Sequence, residues 1–120
     1  MAGVMHFSNY FRWMEEVEHA FFRSMDMSVV QPHDGATVSW PRVHVSCEYL
    51  APLRFEDVVE VQLTITDVRE KSVTYEASFM SKGVRTARGR VKMVCCQMKD
   101  HQFTSIRIPD FIREKFEATS

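Results

Sequence analysis

Long apolar runs are missing from this chain, which excludes a helical membrane span: nowhere do about 20 apolar residues follow one another. Met1–Tyr10 does not read as a secretory signal. Charge of one sign is lacking too. Lys and Arg number 15 against 16 Asp and Glu, a formal net charge of −1, so nothing global suggests nucleic-acid or polybasic membrane binding. Cysteine is scarce: Cys47, Cys95 and Cys96 make an odd count without a C-x-x-C. That excludes a disulfide framework and points to a reducing, cytoplasmic setting. Adjacent Cys95 and Cys96 fall on opposite faces of a strand and are not expected to pair. All three read as small buried hydrophobes. The five histidines (His6, His19, His33, His44, His101) show no metal-ligand spacing with the cysteines, so no metal is expected. No repeat, linker or low-complexity stretch interrupts the chain. What is there is 120 residues, 45 % apolar and 26 % charged. That is one domain, residues 1–120, large enough to build a core without metal or disulfide support.

The first long element is a helix. Ser8 or Asn9 is placed to cap it. Tyr10, Met14, Val17, Phe21 and Met25 recur at helical spacing, flanked by Trp13 and Ala20, and predict one buried face. Arg12, Glu16, His19 and Arg23 share the opposite, wet side. Phe11, Glu15, Glu18 and Phe22 share a third side, where two aromatics beside two carboxylates predict a second subunit or a pocket. A loop over 26–36 carries Pro32 and the turn signal Asp34-Gly35. Four strand-like runs follow: Thr37–Leu50, Val58–Val68, Ser72–Ser81 and Thr86–Met98. Val43, Val45, Cys47 and Tyr49 form one face of the first, and Pro41 demotes its start to an edge or bulge. The short connections at 69–71 and 82–83 predict hairpins. Arg88, Arg90 and Lys92 share one strand face, fitting either an anion-attracting stripe or the solvent face of an edge strand. Pro109 opens a short helix over Asp110–Phe116. One long helix and an antiparallel meander make an α+β layout. A single sheet with one helix leaves apolar surface uncovered, so burial against a partner copy is expected.

Gly3-Val4-Met5-His6-Phe7-Ser8-Asn9-Tyr10 sets a glycine-led turn at the helix start. Early helical amides lack partners and form the positive end of the helix dipole. Such a site can polarise a carbonyl and hold the oxyanion formed when it is attacked. His6 sits in that turn with an ordinary pKa suited to acid–base work near neutrality.

These residues also carry a resemblance. Gly3-Val4-x-x-Phe7-x-Asn9-Tyr10-x-Arg12-Trp13-Met14-Glu15 resembles the active-site signature of the 4-hydroxybenzoyl-CoA thioesterase-like branch of the hotdog superfamily. Glu48-Tyr49-Leu50-Ala51-Pro52-Leu53-Arg54-Phe55-Glu56-Asp57 and Ile108-Pro109-Asp110-Phe111 resemble later segments of it, in the right order. The resemblance implies a hotdog fold: an antiparallel sheet wrapped around a long helix, two protomers pairing into a homodimer or homotetramer with the site at their interface. It implies hydrolysis of an acyl-CoA thioester, with coenzyme A as part of the substrate and no separate cofactor. Carried over by position, Gly3 and His6 lie in the catalytic turn, the Phe7 backbone N–H is the oxyanion donor, and Glu15 is a catalytic helix position. Tyr10, Phe11, Glu18 and Phe22 are the candidate substrate contacts. Arg69, Lys71 and Ser72 match a hairpin near the CoA phosphates, whose charge favours such cations.

One departure stands out. The family carboxylate that attacks the thioester or activates water lies three residues before the glycine, one position before Met1. The family's first strand is missing with it. The expectation is that Met1 is an internal methionine of a longer protein. The alternative is a real short form that has lost hydrolysis or uses another base, with His6 the candidate substitute; either way this chain as given is expected to be weakly active or inactive. The other functional reading is a non-catalytic dimer on the same fold that binds an acyl-CoA or another small ligand.

Overall fold

The computed structural model describes residues 7–33, 35–51 and 58–119, with side chains from residue 12 onward. Helix α1 spans Phe7–Ser24 and a second helix, α2, spans Asp110–Thr119. Among the described residues eight strands run between them: β1 Val30–His33, β2 Ala36–Ser39, β3 Arg42–Tyr49, β4 Glu60–Val68, β5 Ser72–Ser81, β6 Val84–Val94, β7 Cys96–Lys99 and β8 Gln102–Ser105. All pairs are antiparallel, in the orders β1-β2-β7-β8 and β3-β6-β5-β4. Together with the helices this is the α+β class that the pattern predicts.

The two sheets are the two ends of one bent ladder. β2 runs into β3 through Trp40-Pro41, and β6 into β7 through Cys95. Hydrogen bonds bridge the bend: Val94 N to Pro41 O at 3.1 Å, Cys95 N to Lys71 O at 2.7 Å, and Ile106 N to Cys95 O at 2.9 Å. The expected run Thr37–Leu50 is therefore two strands broken at proline, which cannot donate to a ladder. Strands β1 and β8, of four residues each, escape the alternation rule because so short a stretch carries almost no periodicity.

In the larger sheet, period-2 alternation decides the inner face. Val73, Tyr75, Ala77 and Phe79 of β5 and Ala87, Gly89, Val91 and Met93 of β6 lie in register under α1 and are buried. A Cβ on Gly89 would collide with the Met14 sulfur, so glycine leaves room on β6 for that side chain. Trp13 stacks on Phe79 with ring centroids 6.3 Å apart. The outer face carries Glu48, Arg88, Ser78 and Gln62 in one row and Ser46, Arg90, Glu76 and Thr64 in the next. Arg88, Arg90 and Lys92 thus belong to an interior strand, not an edge. Arg88 bonds Glu48 at 3.3 Å, and Arg90 comes within 4.0 Å of Glu76.

Helix α1 differs in two respects from the expected one. Ser8 and Asn9 lie inside it, since it begins at Phe7. Its buried side is rotated toward Glu18 and Phe22: Trp13, Met14, Glu18, Phe22 and Met25 are buried, whereas Ala20 is exposed and Val17 and Phe21 are half-buried. Phe22 is drawn in by Trp40 and Phe116, its ring centroid 6.0 Å and 5.8 Å from theirs. The helix ends in a Schellman arrangement. Met27 N bonds Phe22 O at 2.9 Å and Asp26 N bonds Arg23 O at 3.0 Å, with Asp26 left-handed at φ 62°.

Strand β3 is an edge, with a register shift between Arg42 and His44. The apolar face of Val43, Val45 and Tyr49 is open here: Val43 is 57 %, Val45 40 % and Tyr49 42 % exposed. Among the described residues β6 is the one strand paired with β3, so alternation alone does not deliver burial.

Candidate active site on the long helix

The first turn of α1, Phe7–Tyr10, contains no acidic residue. Its unpaired amides and positive dipole end are therefore not compensated by a carboxylate of their own. Gly3 and His6 lie outside the described residues, as do the side chains of Tyr10 and Phe11. The backbone of Phe7 opens the helix where the oxyanion donor is expected.

The third side of α1 does not hold together as one surface. Glu15 is exposed and lines an open trough of about 790 Å³ with Arg12, Glu16, His19 and Arg23. Phe22 is fully buried and so cannot serve as an open substrate contact in this fold. Glu18 is only 2 % exposed. Its Oε2 accepts from the Tyr75 hydroxyl at 2.7 Å and from Arg42 Nε at 3.1 Å, and its Oε1 accepts from Arg42 Nη2 at 2.8 Å. The two-pronged geometry is the strong form of this ion pair. Burial, and then the adjacent Glu18 charge, push the Tyr75 phenol well above its ordinary value. Glu18 is thus committed to the helix–sheet interface instead of lining a substrate pocket.

Arg42 and Tyr75 are the site-related residues that sequence reasoning missed. Tyr75 lay hidden in the apolar alternation of its strand. The available signal was its hydroxyl, since a core tyrosine needs a hydrogen-bond partner. Arg42 gave none, because the register shift that turns it toward the helix is set by pairing with β6.

The hairpin between β4 and β5 divides the three expected CoA contacts. Arg69 and Lys71 are exposed, whereas Ser72 is buried and paired with Val94. Arg69 Nε donates to Asp67 at 2.7 Å. Arg113 of α2 braces the turn by donating to the carbonyls of Arg69 and Glu70 at 2.6 Å and 3.0 Å. Among the described residues, no group of three or more His, Cys, Asp or Glu is placed to hold a metal, and no helix is long and apolar enough to cross a membrane. All three cysteines are free thiols, with Cys95 and Cys96 buried and Cys47 half-buried. Burial, and secondarily Cys96, push Cys95 up to about 12.

The long helix on an antiparallel sheet is the hotdog fold. The chain belongs to the thioesterase-like superfamily, whose sequence profile matches residues 1–116. It is 30 % identical over 105 residues to a 1,4-dihydroxy-2-naphthoyl-CoA hydrolase of Synechococcus sp. (strain RCC307), covering 84 % of this chain and 80 % of that protein. It is also 30 % identical over 105 residues to an Aquifex aeolicus (strain VF5) protein carrying a provisional esterase name, covering 87 % of this chain and 79 % of that one. Among solved structures, a gentisyl-coenzyme A thioesterase superposes with a TM-score of 0.76 at 26 % identity, over 95 % of this chain and 87 % of that one.

Proposed function

We propose that this protein hydrolyses an acyl-CoA thioester at the first turn of α1. The thioester oxygen would accept from the Phe7 N–H, the acyl carbonyl would be attacked by water, and the CoA thiol would leave. The observation that carries this reading is an α1 start free of acidic residues in a chain of the thioesterase-like superfamily. Hydrolysis also needs a group that takes the water proton, typically worth about 10²–10⁴ in rate. Within one chain Glu15 stands eight residues, about 12 Å, along α1 from Phe7, so the exposed Glu15 of a second copy is the candidate for that role, whereas Glu18 is tied up. Related hydrolases act on aromatic acyl-CoAs, so an aromatic acyl group is the first substrate class to test. Arg69 and Lys71 would meet the CoA phosphates from the β4–β5 hairpin. The open, apolar edge of β3 supports assembly with a second copy.

The test is thiol release from aromatic, short-chain and branched acyl-CoAs, with sedimentation of the same preparation expected to give a dimer or tetramer. Turnover of at least one ester is expected, with Glu15→Gln lowering kcat about 100-fold. Binding of an acyl-CoA without turnover would replace this reading with the non-catalytic one. Wild-type kcat in Glu15→Gln would remove Glu15 from the mechanism.

A further inference from the structure

We propose that Glu18, gripped by Arg42 and Tyr75, is a positioning residue that sets where α1 presents its first turn. The proposal rests on the reading of that turn as the hydrolytic site. Apolar contacts are non-directional, so the seat made by Met14, Trp13 and Phe22 against the sheet permits small slides and rotations of the helix. A buried two-pronged carboxylate–guanidinium pair does not permit them, because both its bonds hold only in one orientation. Tyr75 adds a third bond from the central strand β5, at 2.7 Å. Arg42 reaches the carboxylate from the edge strand β3, at the position of its register shift. The Arg42 side chain is 30 % exposed while that of Glu18 is 3 % exposed, so the carboxylate is the member that is locked inside.

Three bonds from two strands thus meet one point on α1. Glu18 lies eleven residues after Phe7, about 16 Å along a rigid helix at 1.5 Å per residue. An axial slip at Glu18 is therefore carried undiminished to the first turn. Misplacement by about 1 Å can cost a reaction on the order of 10²-fold. A site of simple mechanical support would more cheaply be filled by a hydrocarbon side chain, since replacing a buried ion pair by packed apolar groups is often neutral or stabilising.

The experiment compares wild type with Tyr75→Phe, Arg42→Lys and Glu18→Gln on the acyl-CoA that the wild type hydrolyses, with rates expressed per folded molecule. Tyr75→Phe removes one hydroxyl from an otherwise unchanged ring and keeps the test open if Glu18→Gln does not fold. We expect its kcat to fall about tenfold with KM within twofold, as a shift of the first turn by a fraction of an ångström requires. Arg42→Lys keeps the charge and loses the fork, so kcat falls there as well. Lowered stability with wild-type kcat, or a loss carried wholly by KM, overturns the proposal. Wild type without turnover overturns the hydrolytic reading alone. The positional claim is then read from the fluorine resonance of 5-fluorotryptophan at Trp13, which stacks on Phe79 from α1. A shifted or split resonance in Tyr75→Phe supports helix positioning, and an unchanged one overturns it.

Discussion

Gly89 shows how much one missing carbon decides at the residue scale. It stands in the middle of β6, where glycine weakens a strand, yet it is the residue that admits the Met14 sulfur. Gly89→Ala is expected to destabilise the fold by about 1–3 kcal/mol through overpacking. Urea titration checks this. In a cycle with Met14→Ala, the alanine at 89 should cost much less, because the atom it strikes is gone. Additive costs would show that the glycine serves something else. Glu18 teaches a related lesson. Helical spacing grouped it with Glu15 on one side, and that grouping is real as angle. The two carboxylates nevertheless have opposite fates, Glu15 exposed and Glu18 buried, because Arg42 and Tyr75 stand on one side of that surface only.

At the scale of elements, the end of α1 is held by backbone geometry that its own residue does not favour. Asp26 occupies the left-handed position of the Schellman motif, where glycine carries no Cβ penalty. Its negative charge also sits at the negative end of the helix dipole. Lys115 of α2 partly offsets that end by donating to the Met25 carbonyl at 2.5 Å. Asp26→Gly is therefore expected to raise stability by about 0.5–1 kcal/mol after the added freedom of the unfolded chain is counted. A rise in the urea midpoint at unchanged slope is the measurement. The strands were legible where they were long and half-buried. In β4 and β5 the alternation of Val61, Leu63 and Ile65, and of Val73, Tyr75, Ala77 and Phe79, needed no tertiary information. β1 and β8 were not legible, since four residues of mixed character are silent about pairing.

For the whole molecule, burial of weak acids sets a direction for its pH response. Cys95 is pushed up to about 12 by burial and secondarily by Cys96, from an ordinary value of 9.0. Burial also raises Cys47 and Cys96, and Tyr75 is raised from 10.0. In each case the unfolded chain loses its proton first. Stability is thus complete below about pH 9 and declines as pH rises from there toward 12. Each pH unit across that window is worth about 1.4 kcal/mol for one fully shifted thiol. Denaturant titrations at pH 8 and pH 10.5 should show the loss, and Cys95→Ala should lessen the pH dependence. Equal stability at the two values would contradict the burial of these groups.

The class of the protein was decided by the sequence itself. Periodicities of 3.6 and 2 mark out the long helix and the long strands β4 and β5, and the segment from Gly3 to Glu15 resembles the family's signature. Both are local properties of neighbouring residues, so no fold is needed to read them. Which faces become buried was decided only by the tertiary structure. The bend at Trp40-Pro41 and Cys95, the open face of β3, and the capture of Glu18 by two residues far away in the chain all depend on pairing between distant segments. Burial is a property of what covers a residue, and the covering side chains come from elsewhere in the chain.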